Sequence, residues 1–214
     1  MPFSSVAAAA SLIYREQGLA GLGIWLELAL NPRVPRWFWY PLAFLLMPAL
    51  VLLAYGLMRW TGMPLPEELR LPGREMVILW VAFFLAGCAE ELGWSGYATD
   101  PLVARWGVGR AGMLLGLIWG LWHVVPYLQA DPSVAWIFWY GFVETVALRV
   151  LIVWLHRSAG RSVWAAALFH ATVNLSFFAF PNGGSHYDTR LAGLLVALTA
   201  ALVTRVWPAG FCCR

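Results

Sequence analysis

The segment Trp37–Met58, WFWYPLAFLLMPALVLLAYGLM, runs through 22 residues without one charged side chain. As an α-helix it reaches about 33 Å, enough to cross the roughly 30 Å hydrocarbon layer of a bilayer. Five further stretches share its character: Met76–Tyr97, Ala111–Leu128, Val134–Leu155, Val163–Phe180 and Leu191–Trp207. Backbone groups in lipid must be bonded within their own segment, so these stretches predict helices rather than open strands. The expected fold is all-α, a polytopic transmembrane bundle of at least six spans. Turn and breaker residues separate the spans at Thr61-Gly62-Met63-Pro64, Asp100-Pro101, Asp131-Pro132 and Pro181-Asn182-Gly183-Gly184.

Composition points the same way. The 214 residues are 61% hydrophobic and only 12% charged, with a mean hydropathy of +0.70. A soluble domain carries about 25% charged residues, so this chain cannot coat a water-soluble globule, and disorder and fibrous repeats are excluded too. The solvent is lipid. The 14 basic residues are all Arg against 11 acids, a formal net charge of +3, and they stand singly at the ends of apolar runs. No nucleic-acid partner is expected from that pattern. Cys88, Cys212 and Cys213 make no disulfide framework, and Phe211 occupies the place where a C-terminal prenylation signal needs its Cys. Val6–Ala10 lacks a basic flank, so a cleavable signal peptide is not expected.

Residues 1–36 are expected to form a partial helix, Val6–Tyr14, and an interfacial helix, Leu19–Leu30, interrupted by Glu27 and closed by Pro32. Residues 37–207 make the bundle and 208–214 a short tail. Alternate threading puts Arg33, Arg36, Arg105, Arg110, Arg157, Arg161 and Arg214 on one side, against Arg59, Arg70, Arg74 and Arg190. The positive-inside rule places the first side in the cytoplasm, which makes this an integral, multi-pass protein of a bacterial-type cytoplasmic membrane. Trp37, Trp39, Trp60, Trp106 and Trp207 at span ends fit interfacial belts.

Ionisable groups inside a span are costly and mark function by default. They are Glu90 and Glu91 in the second span, His123 in the third, Glu144 and Arg149 in the fourth, and His170 with Asn174 in the fifth. Counted at about 1.5 Å per residue from the cytoplasmic ends, Glu90, His123, His170 and Asn174 lie roughly 10, 18, 10 and 16 Å deep. Three helices thus bring polar groups into one layer. His170 and Asn174 are i, i+4 and share a face, as do Trp119 and His123. Glu90 and Glu91 stand about 100° apart around a helix, so one can act as a base while its neighbour fixes structure. A carboxylate, two imidazoles and an amide suffice to activate water and to hold an oxyanion. The competing account is interhelical hydrogen bonding in an inert scaffold.

Glu90-Glu91-Leu92-Gly93-Trp94-Ser95-Gly96-Tyr97, then Trp119-x-x-x-His123, then His170-x-x-x-Asn174 resembles the CAAX prenyl protease and bacteriocin-processing family (CPBP, Abi) of intramembrane proteases. The motifs keep the family's order, and the resemblance runs from about Gly18 to Trp207. It implies an intramembrane endopeptidase, its site toward the cytoplasm, acting on a membrane-associated peptide or lipidated protein. Carried over, Glu90 and His123 would activate water, His170 and Asn174 would hold the oxyanion, and Glu91 would support them. Two departures stand out. The family usually has Arg where this chain has Ser95, so Glu91 must be protonated, find another cation such as Arg149, or sit in a wetter place. The family also has a complete helix where only Val6–Tyr14 is found here, as for a truncated start.

The cofactor expected is none or a divalent metal such as zinc. If one binds, Glu90, His123 and His170 are its candidate ligands, although no His-Glu-x-x-His helix is present. Gly93-Trp94-Ser95-Gly96 also matches the Gly-x-Ser-Gly of rhomboid serine proteases, but a Ser–His dyad leaves both glutamates unexplained. The alternative from another class is a non-catalytic scaffold or immunity factor, a pseudoprotease because of Ser95, or a transporter using Glu144 and Glu90 as proton sites. Arg149 is expected to snorkel to the interface, His156 to sit with Arg157 at a helix end, and His186 to be solvated.

Overall fold

The computed structural model describes residues 3–70, 73–130 and 133–206, and among these every regular element is helical. The helices are α1 (Phe3–Leu30), α2 (Trp39–Thr61), α3 (Glu75–Gly93), α4 (Thr99–Trp122), α5 (Val124–Ala130), α6 (Val134–Trp136), α7 (Thr145–Ser158), α8 (Val163–Ala179) and α9 (Thr189–Val206). Wider π-turns join α3 to α4 over Trp94–Ala98 and α6 to α7 over Ile137–Glu144. Four continuous stretches are long and apolar enough to cross a membrane: Trp39–Thr61, Glu75–Trp122, Val134–Ser158 and Thr189–Val206. Val163–Ala179 is a shorter apolar helix.

Local chemistry sets most of the boundaries. Gly62 in a left-handed conformation ends α2, its N–H bonded to the Met58 carbonyl. The Ser162 hydroxyl caps α8 by accepting from the Ala165 N–H, and Asp188 does the same for α9 through Leu191. One expected boundary is displaced. Asp100-Pro101 is no connector but lies in the first turn of α4, where proline's missing N–H costs nothing. The break falls at Gly107 (φ 76°, ψ 169°), a backbone geometry that glycine reaches readily. Asp131-Pro132, Trp207 and the tail with Cys212 and Cys213 lie outside the described residues. α1 leaves helical geometry at Gly18, which divides it at the point where the two N-terminal segments meet.

α7 is the axis of the bundle. Twelve of its fourteen residues are buried, among them Leu151, Ile152 and Leu155, which pack with Trp39, Met47 and Phe169 into the main core. A helix buried all round must meet its neighbours closely, and α4 does so with Gly112, Gly116 and Gly120 on one face. A Cβ at Gly116 would stand 2.7 Å from the Val146 Cα and 3.2 Å from the Arg149 Cβ. At Gly112 the same atom would meet the Val150 Cα at 2.7 Å. Gly116→Ala therefore forces α4 and α7 apart, and the expected loss is about 1–3 kcal/mol of stability, typical of overpacking. Thermal unfolding in detergent checks it, and an unchanged midpoint would mean that the two helices adjust freely.

Candidate active site

Each π-turn is followed by a threonine that bonds back to it twice. Its backbone N–H makes the wider i+5 bond, to Trp94 from Thr99 and to Tyr140 from Thr145, and its hydroxyl reaches the same carbonyl. The Thr99 hydroxyl donates to the Trp94 carbonyl at 2.9 Å and the Thr145 hydroxyl to the Tyr140 carbonyl at 2.8 Å, both five residues back. From outside the helix, the indole of Trp25 on α1 donates to the Leu92 carbonyl at 3.2 Å, and Ser5 donates to the Glu90 carbonyl at 3.4 Å. The segment bearing the two glutamates is thus held from α1 as well as from its own helix.

The glutamates have opposite surroundings. Glu91 is fully buried and accepts four bonds: two from Arg149 Nη1, at 2.8 and 2.9 Å, one from Ser95 Oγ at 2.5 Å and one from His170 Nδ1 at 2.9 Å. Glu90 is half-buried and accepts from Trp119 Nε1 at 3.3 Å. The expected division between an active and a structural carboxylate thus has a geometric counterpart, with Glu91 as the fixed member.

Arg149 does not snorkel. Its side chain is 0% exposed and it forms a buried ion pair with Glu91. The guanidinium missing from position 95 arrives from α7, and Ser95 adds a hydroxyl to the same carboxylate. Removing either charge from such a pair leaves the other desolvated and alone, so the two residues hold α3 and α7 together. The signal was present in the sequence: an arginine nine residues inside the end of α7 needs an acid in another helix.

His123 occupies the break between α4 and α5, at φ −93° and ψ 3°, a sparsely populated region where active-site residues often sit. Its Nδ1 lies 2.9 Å from the Trp119 carbonyl. The Trp119 ring packs edge-to-face against both imidazoles, 5.4 Å from His123 and 5.2 Å from His170. Asn174 is half-buried one turn beyond His170 on α8. With Nδ1 engaged in both imidazoles, each has Nε2 left for chemistry. Ser95 faces Glu91 rather than an imidazole, so no Ser–His dyad forms there.

Among the described residues no group of three or more His, Cys, Asp or Glu is gathered closely enough to hold a metal ion. Glu90, His123 and His170 do not fit a coordination shell as they stand. Away from this site, Glu144 is buried, with its Oε1 accepting from the Tyr187 hydroxyl at 2.6 Å. His156 sits with Arg157 in the last turn of α7, as expected, and is buried there with Nε2 3.9 Å from Asp100. Asp100 is held instead by Arg157 at 2.6 Å and Arg161 at 3.3 Å. His186 is half-buried and bonded to Ser185.

Residues 72–176 match the family model of the type II CAAX prenyl endopeptidases, Rce1-like. The chain is also 33% identical over 148 residues to CAAX prenyl protease 2 of Methanococcus maripaludis. That alignment takes in 64% of this chain and 54% of the relative, so the chain spans about half the length of the curated relative it matches. The interval matched by the family model contains Glu90, Glu91, His123, Arg149, His170 and Asn174.

Proposed function

We propose, from the premise that the chain belongs through residues 72–176 to the Rce1-like CAAX prenyl endopeptidases, that it is an intramembrane endopeptidase. It hydrolyses a peptide bond in a membrane-associated, lipidated peptide by an activated water. The observation that carries this reading is the asymmetry of the adjacent carboxylates: Glu91 is saturated by Arg149, Ser95 and His170, whereas Glu90 accepts one bond from the same Trp119 indole that packs on His123. Glu90, assisted by His123, takes a proton from water as the oxygen bonds to the peptide carbonyl carbon. The oxyanion is met by the Asn174 amide and by the Nε2 side of His170, whose Nδ1 stays on Glu91. Breaking the C–N bond then returns the proton from Glu90 to the leaving amine. The arginine bias of the loops supports a cytoplasmic opening.

Purified protein in lipid vesicles, given a farnesylated peptide with a CAAX-type end, tests this directly. Cleavage is expected, and His123→Ala should lower kcat about 100-fold, within the range for assisted proton transfer. Cleavage that survives both His123→Ala and Glu90→Gln would defeat the proteolytic reading in favour of a scaffold. A chelator is expected to have no effect; inhibition that zinc reverses would call for a different water activation, on a metal.

A further inference from the structure

Arg149 touches more than Glu91. Its guanidinium carbon lies 4.2 Å from the centroid of the Trp119 ring and 5.7 Å from that of Trp94. Its Nε and Nη2 are buried without hydrogen-bond partners, so the indole faces are what remain to stabilise that part of the cation. Trp119 is itself 6% exposed, and its Nε1–H is the bond that Glu90 accepts. The same ring presses on His123 and on His170. One indole therefore meets every ionisable group of the site except Glu91, and Arg149 bonds that one directly.

We propose that Trp119 is the positioning residue of the site, clamped by Arg149 so that a single buried cation orders both carboxylates, Glu91 by direct pairing and Glu90 through the indole N–H. A phenylalanine would fill much of the same space and keep an aromatic face under the guanidinium, but it would leave Glu90 without this donor. The ring's edge-to-face contacts also fix the relative placement of the imidazoles at the end of α4 and on α8. The proposal rests on the proteolytic reading for its effect on rate, but not for its geometry.

Two measurements separate these. In nanodiscs, the 15N-indole resonance missing from the Trp119→Phe spectrum identifies Trp119 among the 14 tryptophans. Glu90→Gln and Arg149→Lys should each move that resonance; a resonance indifferent to both overturns the proposal. On the farnesylated peptide, Trp119→Phe should lower kcat about tenfold with KM held within about twofold, the loss of one hydrogen bond to a charged acceptor. Trp119→Leu, which removes the clamped face as well, should fall further. A Trp119→Phe enzyme with wild-type kcat, or one impaired in KM alone, overturns the positioning role. Should the wild-type protein cut nothing, the proteolytic reading fails, and the indole resonance alone decides whether Trp119 couples the carboxylates.

Discussion

Glu90→Gln should abolish turnover while leaving the protein as stable as the wild type. The change keeps the shape of the side chain, and the amide oxygen still accepts the 3.3 Å bond from Trp119 Nε1. What it removes is the capacity to take a proton from water. A positioned general base contributes about 10²- to 10⁴-fold, and with Glu91 already committed to Arg149 the drop in kcat should fall in the upper part of that range. The half-buried setting predicts a stability change within about 0.5 kcal/mol, as for other substitutions that break no buried network. Glu91→Gln is the control with the opposite signature: it leaves Arg149 buried without an anion, so it should lower the unfolding midpoint as well as the rate. Paired measurement of kcat and thermal unfolding for the two variants decides the assignment. If Glu91→Gln were stable and dead while Glu90→Gln stayed active, the roles would be reversed.

The membrane class and the helical spans are legible in the primary structure, and Glu90, Glu91, His123, His170 and Asn174 stand out there as candidates, for a common reason. Lipid tolerates few polar groups, so their positions stand out against an apolar background. What stayed hidden depends on rotation about helix axes and on helix order. Arg149 is one of several outcomes open for Glu91, and only the helix arrangement selects that pair, 58 residues apart, over snorkelling. The π-turns over Trp94–Ala98 and Ile137–Glu144 have no compositional mark either, although a threonine just after each is a consistent trace. The Asp100-Pro101 pair misled because proline signals a boundary both at the end of a helix and in the first turn of one. Trp119 was visible only as the first letter of a motif; its hub position needs α3, α7 and α8 in place around it.

Arg149→Met should be the most destabilising single change in the site. Both members of the Arg149–Glu91 pair have side chains at 0% exposure, so truncating the cation strands a desolvated carboxylate with only Ser95 and His170 to hold it. Breaking a buried pair in this way costs about 3–5 kcal/mol, a large part of the stability of an ordinary domain. The variant should accumulate poorly and unfold at markedly lower temperature. The double variant Glu91→Leu/Arg149→Met removes both charges and should regain most of that loss, since apolar residues of similar volume often replace a buried ion pair at no net cost. It should nevertheless remain inactive, because His170 Nδ1 would have no acceptor and the Trp119 face no cation above it. Recovery of stability without recovery of rate is the decisive outcome: it would assign the pair a positioning function beyond its part in holding α3 against α7. Recovery of both would reduce Arg149 to a structural element, and recovery of neither would mean that the contact cannot be rebuilt by packing alone.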